Sequence, residues 1–320
     1  MPPHDLSNSN TIEDPGDISN RLDFNEPATA EEWEVCRELT GETPEIRSAA
    51  LEDLRHMINT RMELPNRTEE TFLIKFLRVR DFSAEKAYRL MVRYYKFKEL
   101  NPAFHKDVYP LRLTYIGDDD VCSVPPYTDQ DGHRIIIYRL GNWKPRKYSV
   151  IELFRATVVI LELATLEPKT QIKGGICIFD MSGISLSHVY HITPAMASQI
   201  VELMGASFPI KIHAIHIVLQ SFLFDMIYTF FKAILDAKTR EKIYIHGQNM
   251  SSLHTHIDPR YLPVKYGGVR KEYSYNDWIE ILRRDETVIC SLIKLGYKID
   301  PEDDLDNKWK SMAELLQKSS

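Results

Sequence analysis

Histidine is the residue type in this chain that could most readily hold a metal or move a proton. The chain contains 11 histidines, and six of them form close pairs: His188 and His191, His213 and His216, His254 and His256. No pair lies on a helix beside a glutamate in the HExxH pattern. If residues 213–217 form a strand, His213 and His216 project to opposite faces of the sheet. The spacing favours structural, hydrogen-bonding histidines, and no metal site is predicted.

Nucleophilic and phosphate-binding motifs are also missing. Ser182 in "FDMSGIS" follows a strand-like run but lacks the G-x-S-x-G elbow, so a turn explains it. The glycine pairs at 174–175 and 267–268 lack the context of phosphate-binding loops. We predict no catalytic residues and no cofactor, hence a protein that is not an enzyme. Hydrolysis through Ser182 or a histidine is the alternative.

The composition is that of an ordinary globular protein, with 320 residues of which 43% are hydrophobic. A net charge of −6 argues against bulk attraction to nucleic acid or anionic membranes. The longest apolar runs fall short of the roughly 18 to 20 residues of a bilayer span, and the N-terminus does not resemble a signal peptide. Scattered cysteines without a CxxC pair fit a reducing cytosol, with Cys177 as a buried thiol. We therefore predict a cytoplasmic protein with no nucleic-acid partner.

The pattern divides the chain into four regions. Residues 1–28 are polar and acidic, which predicts a disordered tail. Residues 29–100 have helical periodicity, as in "RSAALEDLRHMINTR", and predict an all-helical domain. Residues 101–270 begin at the helix-breaking "NPAF" and alternate strand-like runs with helices. Residues 271–320 return to helix and end in a charged tail.

Four strand-like runs define the predicted sheet. They are "DQDGHRIIIYRLG", "GGICIFDMSG", "FPIKIHAIHIVL" and "KIYIHG". Helices of ten or more residues separate them, which is typical of parallel strands joined by crossovers. The predicted fold class is α/β: an N-terminal all-helical domain, then a mostly parallel sheet covered by helices.

The run "SFLFDMIYTFFKAIL" at 221–235 is apolar around nearly its whole circumference. On helical spacing its polar residues Asp225, Thr229 and Lys232 form one narrow stripe. A helix packed on a globular core usually has a broad polar face, so this run predicts apolar surroundings on both sides. A helix buried on both sides in the core is the alternative interpretation.

Several successive segments resemble the CRAL-TRIO lipid-transfer family. They are "TFLIKFLRVRDFSAEKAYRLMVRYYKF", "DQDGHRIIIYRLGNW", "GGICIFDMSGISLSH", "ITPAMASQIVELMGASFPIKIHAIHIV", "EKIYIHG" and "LPVKYGG". The resemblance covers residues 45–270 in order and is greatest to the branch of alpha-tocopherol transfer protein, cellular retinaldehyde-binding protein and the clavesins. It implies a sheet domain that encloses one hydrophobic ligand beneath a mobile helical lid, and a basic surface that binds phosphoinositides.

The resemblance implies that the apolar helix at 221–235 is the lid and that this lid contacts the membrane. The residues implied are Phe222, Phe224, Met226, Ile227, Phe230, Phe231 and Ile234. We expect the face of Phe222, Met226 and Phe230 to close over the lipid, while aromatic side chains on the other face enter a bilayer when the lid opens.

The implied phosphoinositide-binding residues are Arg80, Lys211, His213, Lys238 and Lys242. Strand alternation predicts Lys211 and His213 on the face opposite Ile210 and Ile212, and helical spacing predicts Lys238 beside Lys242. The family often has Arg or Lys at the position of His213, so the charge there would depend on pH. Separate, solvated lysines are the alternative.

The implied pocket residues are almost all aliphatic or aromatic. They are Tyr138, Phe154, Thr157, Leu161, Phe179, Ile192, Ile200, Leu203, Met204, Phe208, Ile210, Ile212 and Ile215. Three of them, Phe154, Thr157 and Leu161, share one helix face. Plain core packing is the alternative for each, since a core uses the same residue types. Leu161 and Gly175 differ in size or polarity from their counterparts in the tocopherol carrier, so that ligand is not carried over.

The sequence and the resemblance together predict a carrier that binds a retinoid, tocopherol or similar lipid and transfers it between membranes. Its expected partners are that hydrophobic ligand and phosphoinositide-containing membranes, with reversible peripheral association and endosomes as a candidate site. The alternative is a membrane-recruited trafficking or scaffold protein that binds phosphoinositides, or a phospholipid exchanger.

Overall fold

A computed structural model describes residues 24–27 and 29–300, without the side chain of Ala206. Apart from residues 24–27, the predicted tail at 1–28 lies outside the described residues. The end of the chain, residues 301–320, also lies outside them.

The first helices form a layer of their own. They are α1 (Ala30–Thr40), α2 (Pro44–Arg61), α3 (Glu70–Arg78) and α4 (Ala84–Leu100). Thr29 and Glu32 form a capping box at α1, and Thr43 caps α2 ahead of a proline. Ser83 stands at the N-cap of α4 without a side-chain bond, as its incomplete capping box predicts.

Next along the chain, a five-stranded sheet is surrounded by helices. Its strands are β1 (Cys122–Ser123), β2 (Arg134–Arg139), β3 (Gly175–Asp180), β4 (Ile212–Val218) and β5 (Ile243–Gly247). They lie in the order β1-β2-β3-β4-β5, with β2 to β5 parallel and β1 antiparallel to β2. The α/β fold class is therefore confirmed. The two-residue β1 carries too little pattern for sequence analysis to detect.

Helices of varied length connect and follow the strands. They are α5 (Thr114–Asp118), α6 (Val150–Ala164), α7 (Pro168–Lys173), α8 (Leu186–His191), α9 (Pro194–Val201), α10 (Phe222–Ile234), α11 (Ala237–Arg240), α12 (Met250–His254), α13 (Tyr275–Arg284) and α14 (Glu286–Lys294). One π-helical turn, Glu202–Ser207, continues α9. Thr193 and Pro194 begin α9 as predicted, with the threonine hydroxyl accepting from the Met196 amide.

The apolar core is shared between the helical layer and the sheet. Phe154, Val158 and Leu161 of α6 pack in one cluster with α2, α3 and α4. On the other side of the sheet, Ile135 and Ile176 pack against Leu253 and Tyr266 from the segment after β5. Cys177 is buried and free, as predicted. The sheet is thus enclosed on both faces, as parallel sheets require.

A buried polar cluster connects the helical layer to α6. The Glu162 carboxylate is fully buried and accepts hydrogen bonds from Tyr94 (2.7 Å) and Lys98 (3.0 Å). Lys75, also buried, lies 4.0 Å from its second oxygen. Burial opposes ionisation, but the two lysines and the tyrosine hold the pKa of Glu162 below its usual value. One carboxylate therefore neutralises cations from two helices.

Loss of that carboxylate should weaken the whole fold. We expect Glu162→Gln to lower the free energy of unfolding by about 3 kcal/mol, because the buried Lys75 and the partly buried Lys98 would lose their counter-charge. Urea unfolding measures this. The matched control is Glu85→Gln, which breaks exposed ion pairs with Arg61 and Arg89 and should leave the midpoint unchanged. Equal effects of the two changes would contradict this account.

Candidate functional site

A large cavity lies between the sheet, α6 and α10. It encloses about 1010 Å³, at the upper end of the range for ligand sites. Most of the predicted pocket residues line it. They are Tyr138, Phe154, Thr157, Phe179, Ile192, Ile200, Leu203, Met204, Ile210, Ile212 and Ile215.

Leu161 and Phe208 are not part of the cavity wall. The cavity contacts only the first half of α6, from Val150 to Thr157, and Leu161 is one turn too far along the helix. Its side chain packs instead with the core of the helical layer. Phe208 is buried there too, with its ring 5.4 Å from that of Tyr94. For these two, the plain core interpretation is correct.

Sequence analysis missed other wall residues. Trp143 and His188 line the cavity from the loop before α6 and from α8. Ile217 continues the strand alternation of Ile215, a signal that could have identified it. Tyr228 extends the inner face of α10 in the same way.

The cavity wall holds one hydroxyl pair. Tyr138 Oη and Thr157 Oγ1 lie 3.1 Å apart, and the Tyr138 ring stacks on Phe179 with centroids 5.1 Å apart. Burial raises the pKa of Tyr138 far above its usual value, so the phenol stays neutral and able to donate. This pair can satisfy one polar group on an otherwise apolar ligand.

The orientation of α10 is the reverse of that predicted. Phe224, Ile227 and Phe231 face the cavity, together with Tyr228 and Leu235, whereas Phe222 and Met226 are 75% and 49% exposed. The prediction did not use the polar stripe, which on helical spacing lies beside Phe222 and Met226. The polar stripe of Asp225, Thr229 and Lys232 is exposed, with the threonine hydroxyl bonded to the Asp225 carbonyl.

The outer side of α10 belongs to a wider apolar surface. The adjacent helix α8 contributes Leu186 and Tyr190, which are 67% and 85% exposed. Ile234 near the end of α10 is exposed as well. Single exposed apolar residues are normal, but five large ones on two packed helices are suited to an interaction. Sequence analysis missed the α8 residues because that helix has only six residues.

The five predicted phosphoinositide-binding residues all lie at the cavity mouth. We call them the basic patch: Arg80, Lys211, His213, Lys238 and Lys242. Lys211 Nζ bonds the Leu39 carbonyl at 3.2 Å and lies 3.7 Å from Asp81. Burial lowers the pKa of Lys211, and the nearby Lys242 and Arg80 contribute. The patch therefore concentrates positive charge on a chain that is negative overall.

Two details of the patch differ from the prediction. Helix α11 ends at Arg240, so Lys242 lies in the following turn, where its Nζ bonds the Ile212 carbonyl at 2.7 Å. Lys211 and His213 were expected on the face opposite Ile210 and Ile212, but all four residues line the same cavity. The alternation fails because β3 and β4 shift register at this point.

Further charged residues share the mouth. Lys173 at the end of α7 and His133 before β2 line it, as do Asp81 and Asp131. Counting the patch, five fixed cations face two carboxylates there. Lys173 and His133 lie far from the patch in sequence, so nothing in the pattern linked them to it.

The other histidines of the three close pairs have structural partners. His188 bonds Ser185 and the Trp143 carbonyl, and His254 bonds the Tyr266 carbonyl. His213 and His216 diverge as predicted, since His216 is buried on the other side of the sheet, 2.9 Å from His246. Ser182 lies in a turn after β3, where its amide donates to Asp180 Oδ1 at 2.8 Å.

One group in the described chain brings carboxylate and imidazole atoms together: Asp129, Asp131 and His133. The two oxygens of Asp129 already accept from the amides of Asp131 and His133 and contact the His133 ring at 2.8 Å. These bonds close the turn before β2, which explains the grouping without a metal.

In the part of the chain that the structure describes, every helix is too short or too polar to span a bilayer.

Comparisons with known proteins point to the same family as the sequence. Residues 118–268 match the CRAL/TRIO domain. The chain is 30% identical to clavesin-1 of Pongo abelii over 272 residues, which cover 83% of this chain and 76% of the relative. It is 31% identical to the alpha-tocopherol transfer protein-like protein of Homo sapiens over 254 residues, or 78% and 74% of the two chains.

Clavesin-2 of Homo sapiens is 29% identical over 258 residues, covering 79% of this chain and 78% of the relative. Among solved structures, the crystal structure of Sfh5 covers 81% of this chain and 98% of its own, with 13% identity and a TM-score of 0.42. Given the matching domain and about 30% identity across most of both chains, this protein belongs to the CRAL/TRIO domain family.

Proposed function

We propose that this protein binds one hydrophobic small molecule, a retinoid, tocopherol or similar lipid, and transfers it between membranes. The CRAL/TRIO family implies a small lipophilic ligand, and one relative is named for alpha-tocopherol transfer. The observation that carries the proposal is the cavity of about 1010 Å³, apolar in its wall and closed by α10. Extraction of such a ligand needs no catalysis, because burial of its apolar surface supplies the free energy.

The wall favours a ligand with a single polar group. Tyr138 and Thr157 offer one hydroxyl pair, while the surrounding isoleucines offer no donor or acceptor from their side chains. A charged phospholipid headgroup would not be stabilised there and would have to stay at the mouth. Inside the cavity, this supports a ligand with one polar group, such as a retinoid or tocopherol.

We also propose that the basic patch docks the protein on phosphoinositide-bearing membranes. Its cations come from separate segments and converge at the mouth, so that a polyanionic headgroup would bind beside the ligand exit. When the patch docks, the exposed side chains of α8 and α10 would enter the membrane interface. They are Phe222, Met226, Leu186 and Tyr190. The protein would then be cytoplasmic and reversibly attached to membranes, endosomal ones among them.

The domain division follows from the same proposal. Residues 29–100 would form a helical support, residues 101–270 the lipid-binding domain, and the residues after 270 a C-terminal helical extension. The buried cluster around Glu162 would hold the support against the lipid-binding domain.

Lipid extraction and mass spectrometry of the full-length protein test the ligand. We expect one recurring retinoid, tocopherol or related lipid, and loss of that species in Ile215→Trp, because the larger side chain would occupy the cavity. The matched control is Ile46→Trp, an exposed position on α2 that leaves the cavity unchanged. Recovery of bulk phospholipid alone would contradict the carrier and favour a phosphoinositide-binding scaffold or a phospholipid exchanger.

The basic patch has its own test. We expect Lys211→Ala combined with Lys238→Ala to slow transfer to phosphoinositide-containing vesicles about tenfold, because two headgroup contacts are removed. Ligand binding should stay intact. The control is Lys86→Ala with Lys96→Ala, two exposed lysines of α4 with the same total charge change. Loss of transfer in both double variants, or loss of ligand binding with transfer, would argue against the assignment.

The membrane face can be separated from the ligand face of α10. We expect Phe222→Ser with Met226→Ser to weaken vesicle binding at least tenfold, since insertion of each side chain contributes about 1.5 to 3 kcal/mol. Ligand content should not change. Phe231→Ser, on the inner face, should reduce ligand retention instead. Vesicle flotation and ligand fluorescence measure the two effects, and identical phenotypes would refute the two-faced helix.

A further inference from the structure

His213 holds an unusual position in the sheet. Gly175 pairs with Ile212 and the next residue, Ile176, pairs with Ala214, so His213 is the extra residue of a β-bulge. A bulge re-aims a side chain that regular alternation would direct to one face of the sheet. The His213 side chain is exposed and lines the cavity mouth among the cations of the basic patch.

The imidazole of His133 packs against that of His213. The rings of His133 and His213 stack with centroids 3.9 Å apart and an angle of 23° between their planes. His133 is only 7% exposed, and its Nδ1 lies 2.8 Å from Asp129 Oδ2, which fixes the ring. One imidazole is therefore held in place and buried, while its partner faces the mouth.

Charged groups of both signs face this pair. Asp129 and Asp131 come from the turn before β2, and Lys242 comes from the turn before β5. Lys211 lies on the same segment as His213, and Lys173 at the end of α7 packs beside Gly132. Burial against the stacked ring lowers the pKa of His213, and the charges of His133 and Lys242 act in the same direction against the two aspartates.

We propose that the His133–His213 pair couples headgroup docking to proton uptake, so that a membrane headgroup with two phosphate monoesters binds more tightly as the pH falls. This rests on the proposed role of the basic patch. A headgroup between Lys211 and Lys242 would bring several further negative charges to a ring that now faces charges of both signs. Its pKa would then rise on binding. Linkage requires that the same headgroup bind better when that ring is protonated.

The direction of the pH dependence follows from the protonation of His213 in the free and the headgroup-bound protein. The free protein has a lowered pKa at His213, so the ring is neutral near pH 7.5 and takes up a proton only when the headgroup binds or the pH falls. One coupled proton can change affinity by at most about tenfold per pH unit. Acidification also neutralises part of the phosphate charge, whose second pKa is near 6, and this opposes the effect. The test must therefore compare variants on the same lipid.

The experiment uses the full chain and phosphatidylcholine vesicles with or without phosphatidylinositol bisphosphate, at about pH 7.5 and about pH 5.5. We expect the ratio of the two affinities to favour acid at least about threefold more in the wild type than in His213→Gln. His213→Arg should bind more tightly than the wild type at the higher pH and lose the extra pH dependence. His56→Gln, an exposed histidine on α2, should behave as the wild type.

A second measurement detects the proton directly. Titration calorimetry with a soluble inositol bisphosphate, in two buffers of different ionisation enthalpy, should show net proton uptake for the wild type and less for His213→Gln. Equal pH ratios and equal proton uptake in the two proteins would overturn the inference and leave membrane docking intact. If the wild type fails to bind phosphoinositide vesicles at either pH, the proposed function of the patch fails as well.

Discussion

A chain that maintains a large apolar cavity gives up the side-chain packing that would otherwise fill that space, so the walls have to be held from outside. In this protein the Glu162 carboxylate has that role. It lies on α6, the helix whose first half lines the cavity, and it bonds Lys98 and Tyr94 of α4 while facing Lys75 of α3. A fully buried charge is tolerated only when its partners are fixed, and here fixing them also fixes α6. The Glu162 cluster thus connects the cavity wall to the helical layer.

Chain order explains why α10 and the basic patch lie close together. Helix α10 lies between two adjacent parallel strands, β4 and β5, so both its ends are tied to the sheet. Lys211 and His213 lie at the start of β4, and Lys238 and Lys242 follow α10 just before β5. Parallel pairing brings these two starts to the same edge of the sheet. A headgroup bound there would contact both segments that flank α10, which would provide the differential contact that the proposed coupling requires.

Sequence predicted the elements well and their rotations poorly. The strand runs and the helix at 221–235 were detectable because burial imposes a period on the side chains. Phe222 and Phe224 could be sorted only by the narrow stripe of Asp225, Thr229 and Lys232, which the prediction did not use to set the rotation of the helix. Leu161 lies on the same helix face as Thr157, and only the extent of the cavity separates a wall residue from a core residue. Phe208 likewise lies in the core beside the cavity.

The basic patch shows a second limit of prediction from sequence, which is the effect of tertiary structure. The resemblance supplied its five residues, but alternation placed Ile210 and Ile212 on the face opposite Lys211 and His213. The extra residue in β4 lets all four line the same cavity. Lys173 and His133 join the mouth only through tertiary structure.

The distribution of charge also bears on how such a molecule could approach a membrane. With a net charge of −6, the chain as a whole is repelled by anionic lipids, and this repulsion acts over roughly a Debye length of 8 to 10 Å. The mouth, where five fixed cations face two carboxylates, would be attracted. Repulsion elsewhere would then orient the protein as well as limit non-specific adsorption, so that the side bearing Phe222 and Met226 meets the bilayer first. A strongly basic protein would bind more tightly but in many orientations, most of which would leave the cavity mouth facing water.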